Sequence, residues 1–378
     1  MGVSERTYWA AWLGIPGIGC HRLKRLASHF GQVSVAWQAD VAALRQVEGI
    51  GEHLAITIDQ ERRQRDPERI VAELDRPGIP WITPADAEYP QLLWEIPDPP
   101  PLLYGRGTWS FGPRSIAMVG TRHPSDYGKR WGSRLAQALS EAGFTVVSGL
   151  AAGIDRVCHE GALQGGGATI AVVGTGVDVV YPAQHRALAE RIENQGLILS
   201  EYPPRTPPAK ENFPRRNRLI AGLCTATIVV EAPAKSGALI TAYLANDYNR
   251  DVYVLPGSLD NPAAYGGLSL IQRGAEVILG VDELLTALGV STAADQGQAE
   301  GQRDGSQDQL PTDWPADYRQ IWQALDKGQG DPVSLDALAL HAGLEIQVLS
   351  TALLMMELAG WVEQHPGMRY TQARSKGK

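Results

Sequence analysis

The chain has 378 residues, enough for two or three domains and a sizeable core. Its net charge of −8 and its pI near 5.5 exclude a protein coated in positive charge, while leaving room for a local basic groove. Its three cysteines, Cys20, Cys158 and Cys224, are far apart and make no CxxC pair. They point to neither a disulfide framework nor a zinc site, and they suit a reducing cytosol. With no signal peptide and no apolar run of spanning length, a soluble cytoplasmic protein without a membrane partner is expected.

Residues 5–80 read as all-helical. Leu13-Gly14-Ile15-Pro16-Gly17-Ile18-Gly19 and Val47-Glu48-Gly49-Ile50-Gly51 resemble each other, and both fit the Gly-Ile-Gly turn of a helix-hairpin-helix. In that motif glycine turn amides can meet a DNA phosphate. His21, Arg22, Lys24 and Arg25 stand behind the first turn, so the first hairpin is the one able to touch a DNA backbone. Charges over residues 1–80 balance at ten basic against ten acidic, which favours a packing and partner module for the pair. Residues 81–114 are proline-rich and aromatic. They carry too many large apolar side chains for a free linker and read as an ordered connector.

From Ser115 the pattern changes. Ile116-Ala117-Met118-Val119 stops at Gly120-Thr121-Arg122, and Phe144-Thr145-Val146-Val147 stops at the run Ser148-Gly149-Leu150-Ala151-Ala152-Gly153-Ile154-Asp155. Trp131, Leu135, Ala138 and Leu139 between them fall at helical spacing. Strand, small-residue loop, amphipathic helix and strand make a βαβ unit, and hence a parallel sheet. Further strands read at 168–173, 197–200, 227–230, 251–255 and 276–279, with helices near 154–163, 184–195, 219–223, 238–249 and 268–273. The fold class is α/β: a Rossmann-like, doubly wound, mostly parallel sheet of about seven strands.

In such sheets ligands gather at the carboxyl ends of the strands. Small residues there let a ligand approach the backbone, and a helix starting near Gly153 aims free N–H groups at an anion. Arg122 adds a planar cation able to grip a phosphate with two bonds. The plain alternative is that Arg122 pairs with Asp155 or Asp126 and the glycines only make turns. From Arg205 to Arg218 five basic residues (Arg205, Lys210, Arg215, Arg216, Arg218) face one acid, Glu211, beside Phe213 and Asn217. Cations next to an aromatic ring fit single-stranded nucleic acid, whose phosphates want charge and whose bases want a ring. The alternative is a solvated helix start with some arginines paired to Glu201 and Glu231. A third strand ends in Glu231-Ala232-Pro233-Ala234-Lys235-Ser236-Gly237, again a small-residue loop opening a helix. Three such loops make an anion-binding rim too wide for one mononucleotide.

There is no Walker A sequence, no Rossmann glycine fingerprint after the first strand, no HExxH and no GxSxG, so no catalytic residue, metal or cofactor is expected. His159 beside Asp155 fits a satisfied core or capping histidine better than a general base. Residues 291–311 hold almost nothing apolar and read as a flexible linker. Residues 312–378 read as a winged helix: helices at 318–325, from Ser334, and at 345–358, then a hairpin around His365-Pro366-Gly367. Its third helix carries Glu345 and Glu357 and no Lys or Arg. A reader of duplex DNA needs cations there, so a protein-contact module is favoured.

Taken together, Gly120-Thr121-Arg122, Ser148 to Asp155, His159 to Leu163, Tyr181-Pro182, Leu199 to Pro203, Asn212 to Leu223, Val229 to Thr241 and Arg250 to Gly257 resemble the bacterial DNA-processing protein A family (DprA, also called Smf). The resemblance is dense over residues 81–280, and the flanking modules agree with the family's layout. It implies a single-stranded DNA binder that protects incoming DNA in natural transformation and loads the recombinase RecA. It also implies a homodimer built through the α/β domain, and no catalytic chemistry. Carried over, Arg122 is a main DNA-contacting cation, Gly149–Gly153 supply phosphate-binding amides, and Arg216 and Arg218 lie near the DNA. Some members place a lysine directly after Tyr-Pro; this chain has Ala183, with His185, Arg186 or Lys210 as possible replacements. Cys158 stands where the family commonly has alanine, a packing difference. The competing reading is an enzyme of the nucleoside monophosphate phosphoribohydrolase type. Such enzymes resemble Pro-Gly-Gly-x-Gly-Thr where this chain has Ala234-Lys235-Ser236-Gly237-Ala238. A third is a scaffold that meets only proteins.

Overall fold

The structure, a computed structural model, describes residues 4–109, 111–112, 114–290, 315–326, 333–344, 346–358, 361–365 and 369–372. The chain forms two compact units, residues 1–295 and 296–378.

The first unit opens with six helices: α1 (Glu5–Trp12), α2 (Cys20–Phe30), α3 (Val33–Gln38), α4 (Val41–Leu44), α5 (Glu52–Arg63) and α6 (Pro67–Asp75). Gly17 and Gly49 take φ of +81° and +83° in the two hairpin turns, a region open to glycine at little cost. Trp12, Leu23, Leu26, Leu44 and Ile58 fill the core of this bundle. The cations behind the first turn are already engaged. Arg22 donates to the carbonyls of Gly49 (2.9 Å) and Gly17 (2.6 Å), and Arg25 pairs with Glu48 at 3.3 Å. Lys24 donates to the Trp94 and Ile96 carbonyls at 2.7 and 2.8 Å. These side chains tie one hairpin to the other and both to the connector, which is why the first turn keeps little free charge for DNA.

The connector is more ordered than its composition suggests. It holds β1 (Trp81–Ile82), α7 (Gln91–Glu95) and β2 (Leu103–Gly107). Then follow β3 (Ser115–Gly120), α8 (Asp126–Glu141), β4 (Thr145–Ser148), α9 (Ile154–Gln164), β5 (Thr169–Val172), α10 (Arg186–Gln195), β6 (Leu197–Ser200) and α11 (Asn212–Gly222). The unit ends with β7 (Ala226–Glu231), α12 (Gly237–Asp247), β8 (Asp251–Val254), α13 (Tyr265–Gln272), β9 (Glu276–Val277) and α14 (Val281–Ala287). The sheet order is β1-β2-β6-β5-β4-β3-β7-β8-β9. The seven strands expected from sequence are all present and parallel; β1 and β2 add antiparallel pairs at the β6 edge. Short, proline-flanked strands give too weak an alternation to be read from sequence. Ile116 and Met118 of β3 point into one core with Leu135, Leu139 and Cys158, and Ala117 and Val119 into the other with Leu219, Ile220 and Leu239. This period of two is what a sheet covered on both faces requires.

The chain winds from β3 through β4, β5 and β6 in one direction, then returns to place β7 on the other side of β3. That reversal puts a crevice at the carboxyl ends of β3 and β7.

The second unit holds helices Ala316–Asp326, Leu335–Ala342 and Ile346–Leu358 and strands β10 (Val333–Ser334), β11 (Val362–His365) and β12 (Arg369–Gln372), paired in the order β10-β12-β11. Ser334 caps the middle helix by accepting from the Ala337 N–H. This is the expected winged helix. The linker expected over residues 291–311, Glu345 and most of the His365-Pro366-Gly367 turn lie outside the described residues. Among the described residues no single helix is long and apolar enough to cross a membrane.

Candidate nucleic-acid interface

The loops after β3, β4, β5 and β7 and the start of α11 meet along one edge of the sheet. Ile154 donates to the Thr121 carbonyl (3.1 Å) and Thr121 to the Glu231 carbonyl (2.7 Å), joining the first, second and last of these loops. A side chain on Gly153, where φ is +85°, would collide with the Thr121 carbonyl and the Arg122 backbone. Gly120 is hemmed in by Ile154 in the same way. The glycines therefore bring these two loops together. Glu231 is buried and organises the rim: its carboxylate accepts from the Ser125 N–H (2.8 Å) and from Asn261 Nδ2 (2.7 Å). The sequence offered it as a partner for the arginines of 205–218, but among the described residues no arginine pairs with it.

Arg122 is exposed and makes no ion pair among the described residues. Asp126 pairs with Lys129 instead, at 3.0 Å, and Asp155 turns to its own loop. The Arg122 guanidinium lies 5.8 Å from the centre of the Phe213 ring. Phe213 is in turn 5.6 Å from the ring of Tyr181, a residue that sequence reasoning had not placed in the site. A cation, a half-buried ring and an exposed ring thus stand together. Lys210, Arg215 and Lys235 are also exposed and form no ion pair among the described residues. Asn217 donates to the Gly237 carbonyl at 3.2 Å, and Ser236 caps α12 by accepting from the Ala238 N–H, so Ser236 and Gly237 are held at the rim.

Other residues expected to meet DNA support the rim from beneath. Ser148 is buried and donates to the Met118 carbonyl at 2.6 Å. Leu150 has φ +56° and turns its buried side chain into the core with Val177 and Leu188, so only its backbone is available. The Asp155 carboxylate is buried and accepts from the Ala151 N–H at 3.3 Å. Burial, the largest influence, raises its pKa; the Arg216 charge and the Ala151 hydrogen bond oppose that rise. The Ala151 amide thus serves an internal carboxylate. Among the described residues the N–H groups of Ala152 and Gly153 have no acceptor, and these remain for an external anion.

Arg216 is a correction of a stronger kind. It is only 4% exposed, and its Nη1 donates to the Gly149 carbonyl at 2.7 Å and to the Val172 carbonyl. Its pKa falls to about 10, chiefly through burial. The helical period explains this: α11 starts at Asn212, not near Leu219, and turns Arg216 inward with Asn212, Leu219 and Ile220. Arg218 pairs with Glu201 and, at 3.2 Å, with Asp98, so its charge too is spent inside the protein. His185, one possible substitute for the cation missing at Ala183, is buried against the Leu150 carbonyl at 2.9 Å. Arg186 and Lys210 are exposed.

His159 is fully buried, with Nδ1 2.8 Å from Thr169 Oγ1. Its pKa falls from 6.5 to about 3, through burial first and then the charges of Arg216 and His185. Between those values the unfolded chain binds a proton that the folded chain does not. Stability contributed by the neutral ring is therefore full above pH ~6.5 and declines as pH falls. By pH ~5 the decline is about 2 kcal/mol. Urea unfolding at the two pH values measures it, and His159→Gln shows a smaller difference. An equal difference in the variant assigns the pH dependence to other groups.

Residues 80–289 match the model of the DNA recombination-mediator protein A family, residues 305–368 that of the DprA winged helix domain, and residues 8–66 that of a helix-hairpin-helix motif. The chain belongs to the DprA/Smf family. It is 44% identical to Protein Smf of Synechocystis over 98% of this chain and 99% of that one. It is 40% identical to DNA processing protein DprA of Bacillus subtilis over 58% of this chain and 75% of that one. The crystal structure of DprA from Streptococcus pneumoniae superposes with a TM-score of 0.66 at 34% identity, covering 76% of this chain and 98% of that chain. A Helicobacter pylori DprA structure, described as showing a single-stranded DNA binding mode, aligns with a TM-score of 0.51 at 33% identity over 55% of this chain and 95% of that chain. The three matches fall on its hairpin helices, its parallel sheet and its winged helix in turn.

Proposed function

We propose that the chain binds single-stranded DNA along the rim formed by Arg122, the Ala152–Gly153 amides, Phe213, Tyr181, Lys210, Arg215 and Lys235. The observation that carries this is the grouping of Arg122, Phe213 and Tyr181: a guanidinium with no ion pair among the described residues, for phosphate, beside two rings for bases. The Helicobacter relative's single-stranded DNA binding mode supports the same reading. The biological role that goes with it is protection of incoming DNA in natural transformation and loading of RecA, as the family's description as a recombination mediator suggests. A homodimer through the α/β domain is part of the proposal. Tyr243, Tyr265 and Val277 are exposed on α12, α13 and edge strand β9, and Leu259 and Leu279 are 81% and 77% exposed nearby in sequence. Apolar side chains exposed on these elements fit contact with a second copy.

The protein works by binding, without a catalytic step of its own. The Ser148 hydroxyl and the His159 ring are both buried in internal hydrogen bonds, which speaks against a nucleophile and base at the rim. Fluorescence anisotropy with oligo-dT tests the proposal, and incubation with nucleoside monophosphates tests its rival. Saturable oligo-dT binding without release of free base is expected. Base release at useful turnover without DNA binding would favour the phosphoribohydrolase.

We assign residues 1–80 to packing and partner contact, 81–290 to DNA, 291–311 to a linker and 312–378 to a partner protein. The helix Ile346–Leu358 of the winged unit carries Glu357 and no cation. A chain ending at Val290 is therefore expected to keep most single-strand binding. A loss of more than ~1.4 kcal/mol, a factor of ten, would place that unit on the DNA.

A further inference from the structure

We propose that Cys20, His21 and Asp98 form a zinc-type metal site joining the first hairpin helix to the proline-rich connector. Cys20 and His21 open α2; Asp98 lies after α7, in the stretch that leads to β2. One sulfur, one imidazole nitrogen and one carboxylate oxygen from these residues all lie within 4.8 Å of one another. Zinc holds such atoms at roughly 2.0–2.3 Å, so ligands around one ion stand roughly 3.3–3.8 Å apart. Small side-chain rotations close that difference, and the exposed His21 ring is free to make them. The backbone need not move, because Lys24 already ties α2 to the Trp94 and Ile96 carbonyls.

The ligand types select the ion. Thiolate and imidazole favour zinc over magnesium or calcium, and a carboxylate completes a set of three with a fourth position for water. Arg218 lies between Glu201 and Asp98, and Lys24 is a second cation near Asp98, so the carboxylates at this junction are balanced and a Cys20 thiolate would add one negative charge toward a cation. The thiol must give up its proton to bind. Metal uptake therefore releases a proton and tightens as pH rises. The lack of CxxC pairs excluded only sites built from two thiols; one thiol joined by a distant carboxylate leaves no spacing to read.

The full chain, treated with chelator and dialysed, is titrated with Co²⁺ and then with Zn²⁺. One equivalent per chain is expected, with thiolate-to-cobalt absorption in the near ultraviolet that Zn²⁺ displaces and an affinity that rises with pH. Cys20→Ser removes the absorption. His21→Ala, a change at an exposed residue, weakens affinity by at least the ~10–100-fold seen when even an outer partner of a metal ligand is lost. Circular dichroism confirms that both variants fold. Absence of one-to-one binding, or equal binding and absorption in wild type, Cys20→Ser and His21→Ala, overturns the proposal.

Discussion

Arg122→Ala is expected to weaken binding of single-stranded oligonucleotides by about 1.5–3 kcal/mol, the range for hydrogen bonds to a charged group. At 25 °C that is roughly a 10- to 150-fold rise in Kd. The side chain is exposed and unpaired among the described residues, so little of the fold depends on it. Its strand end is fixed on both sides, by the Thr121 hydrogen bond to Glu231 and by the close packing of Gly153. A guanidinium held this way offers a phosphate two parallel bonds, and Arg122→Lys keeps the charge while losing the fork. The expected order of affinity is wild type, Arg122→Lys, Arg122→Ala. Because phosphate contacts carry no sequence information, the loss is similar for oligonucleotides of different sequence. Wild-type affinity in Arg122→Ala would move the DNA path toward Lys210 and Arg215.

Arg216→Ala is expected to act in the opposite way, through stability. The guanidinium is buried, caps the Gly149 and Val172 carbonyls and offsets the buried Asp155 carboxylate. Breaking a buried charge pair by removing one partner costs about 3–5 kcal/mol. Thermal or urea unfolding should show a large loss, and DNA binding should fail only under conditions in which the variant unfolds. A variant with wild-type stability and no DNA affinity would make Arg216 a direct ligand of the phosphate after all.

These two arginines mark what the sequence could and could not tell. Parallel strands buried on both faces leave unbroken apolar runs, and small-residue loops mark their ends, so the doubly wound sheet, its seven parallel strands and the meeting of those loops at one edge were legible. The two hairpin turns and the winged helix were legible for similar reasons of glycine spacing and helical period. Which cation faces water was not, because that depends on the phase of α11. Read as a helix beginning near Leu219, the run Arg215-Arg216-Asn217-Arg218 is a free cluster. With α11 beginning at Asn212, Arg215 faces out, Arg216 in, and Arg218 toward Glu201 and Asp98. Partners distant in sequence were equally hidden: Asp98 for Arg218, Tyr181 for Phe213, and the Gly49 and Glu48 carbonyls for the basic residues of α2.

On the proposed reading, Arg122, Lys210, Arg215 and Lys235 would meet backbone phosphate while the net charge of the chain is −8, so attraction must be local. Binding of single- and double-stranded oligonucleotides of equal length across a salt series tests this most directly. For the single strand, log K should fall linearly with log salt at about 0.7 per phosphate contact, giving a slope near 3 for four cations and a steeper one if two copies bind one strand. Double strands, whose bases cannot reach Phe213 and Tyr181, should bind more weakly at every salt concentration. A flat salt response, or equal affinity for both forms, would contradict a single-strand rim at the carboxyl edge of the sheet.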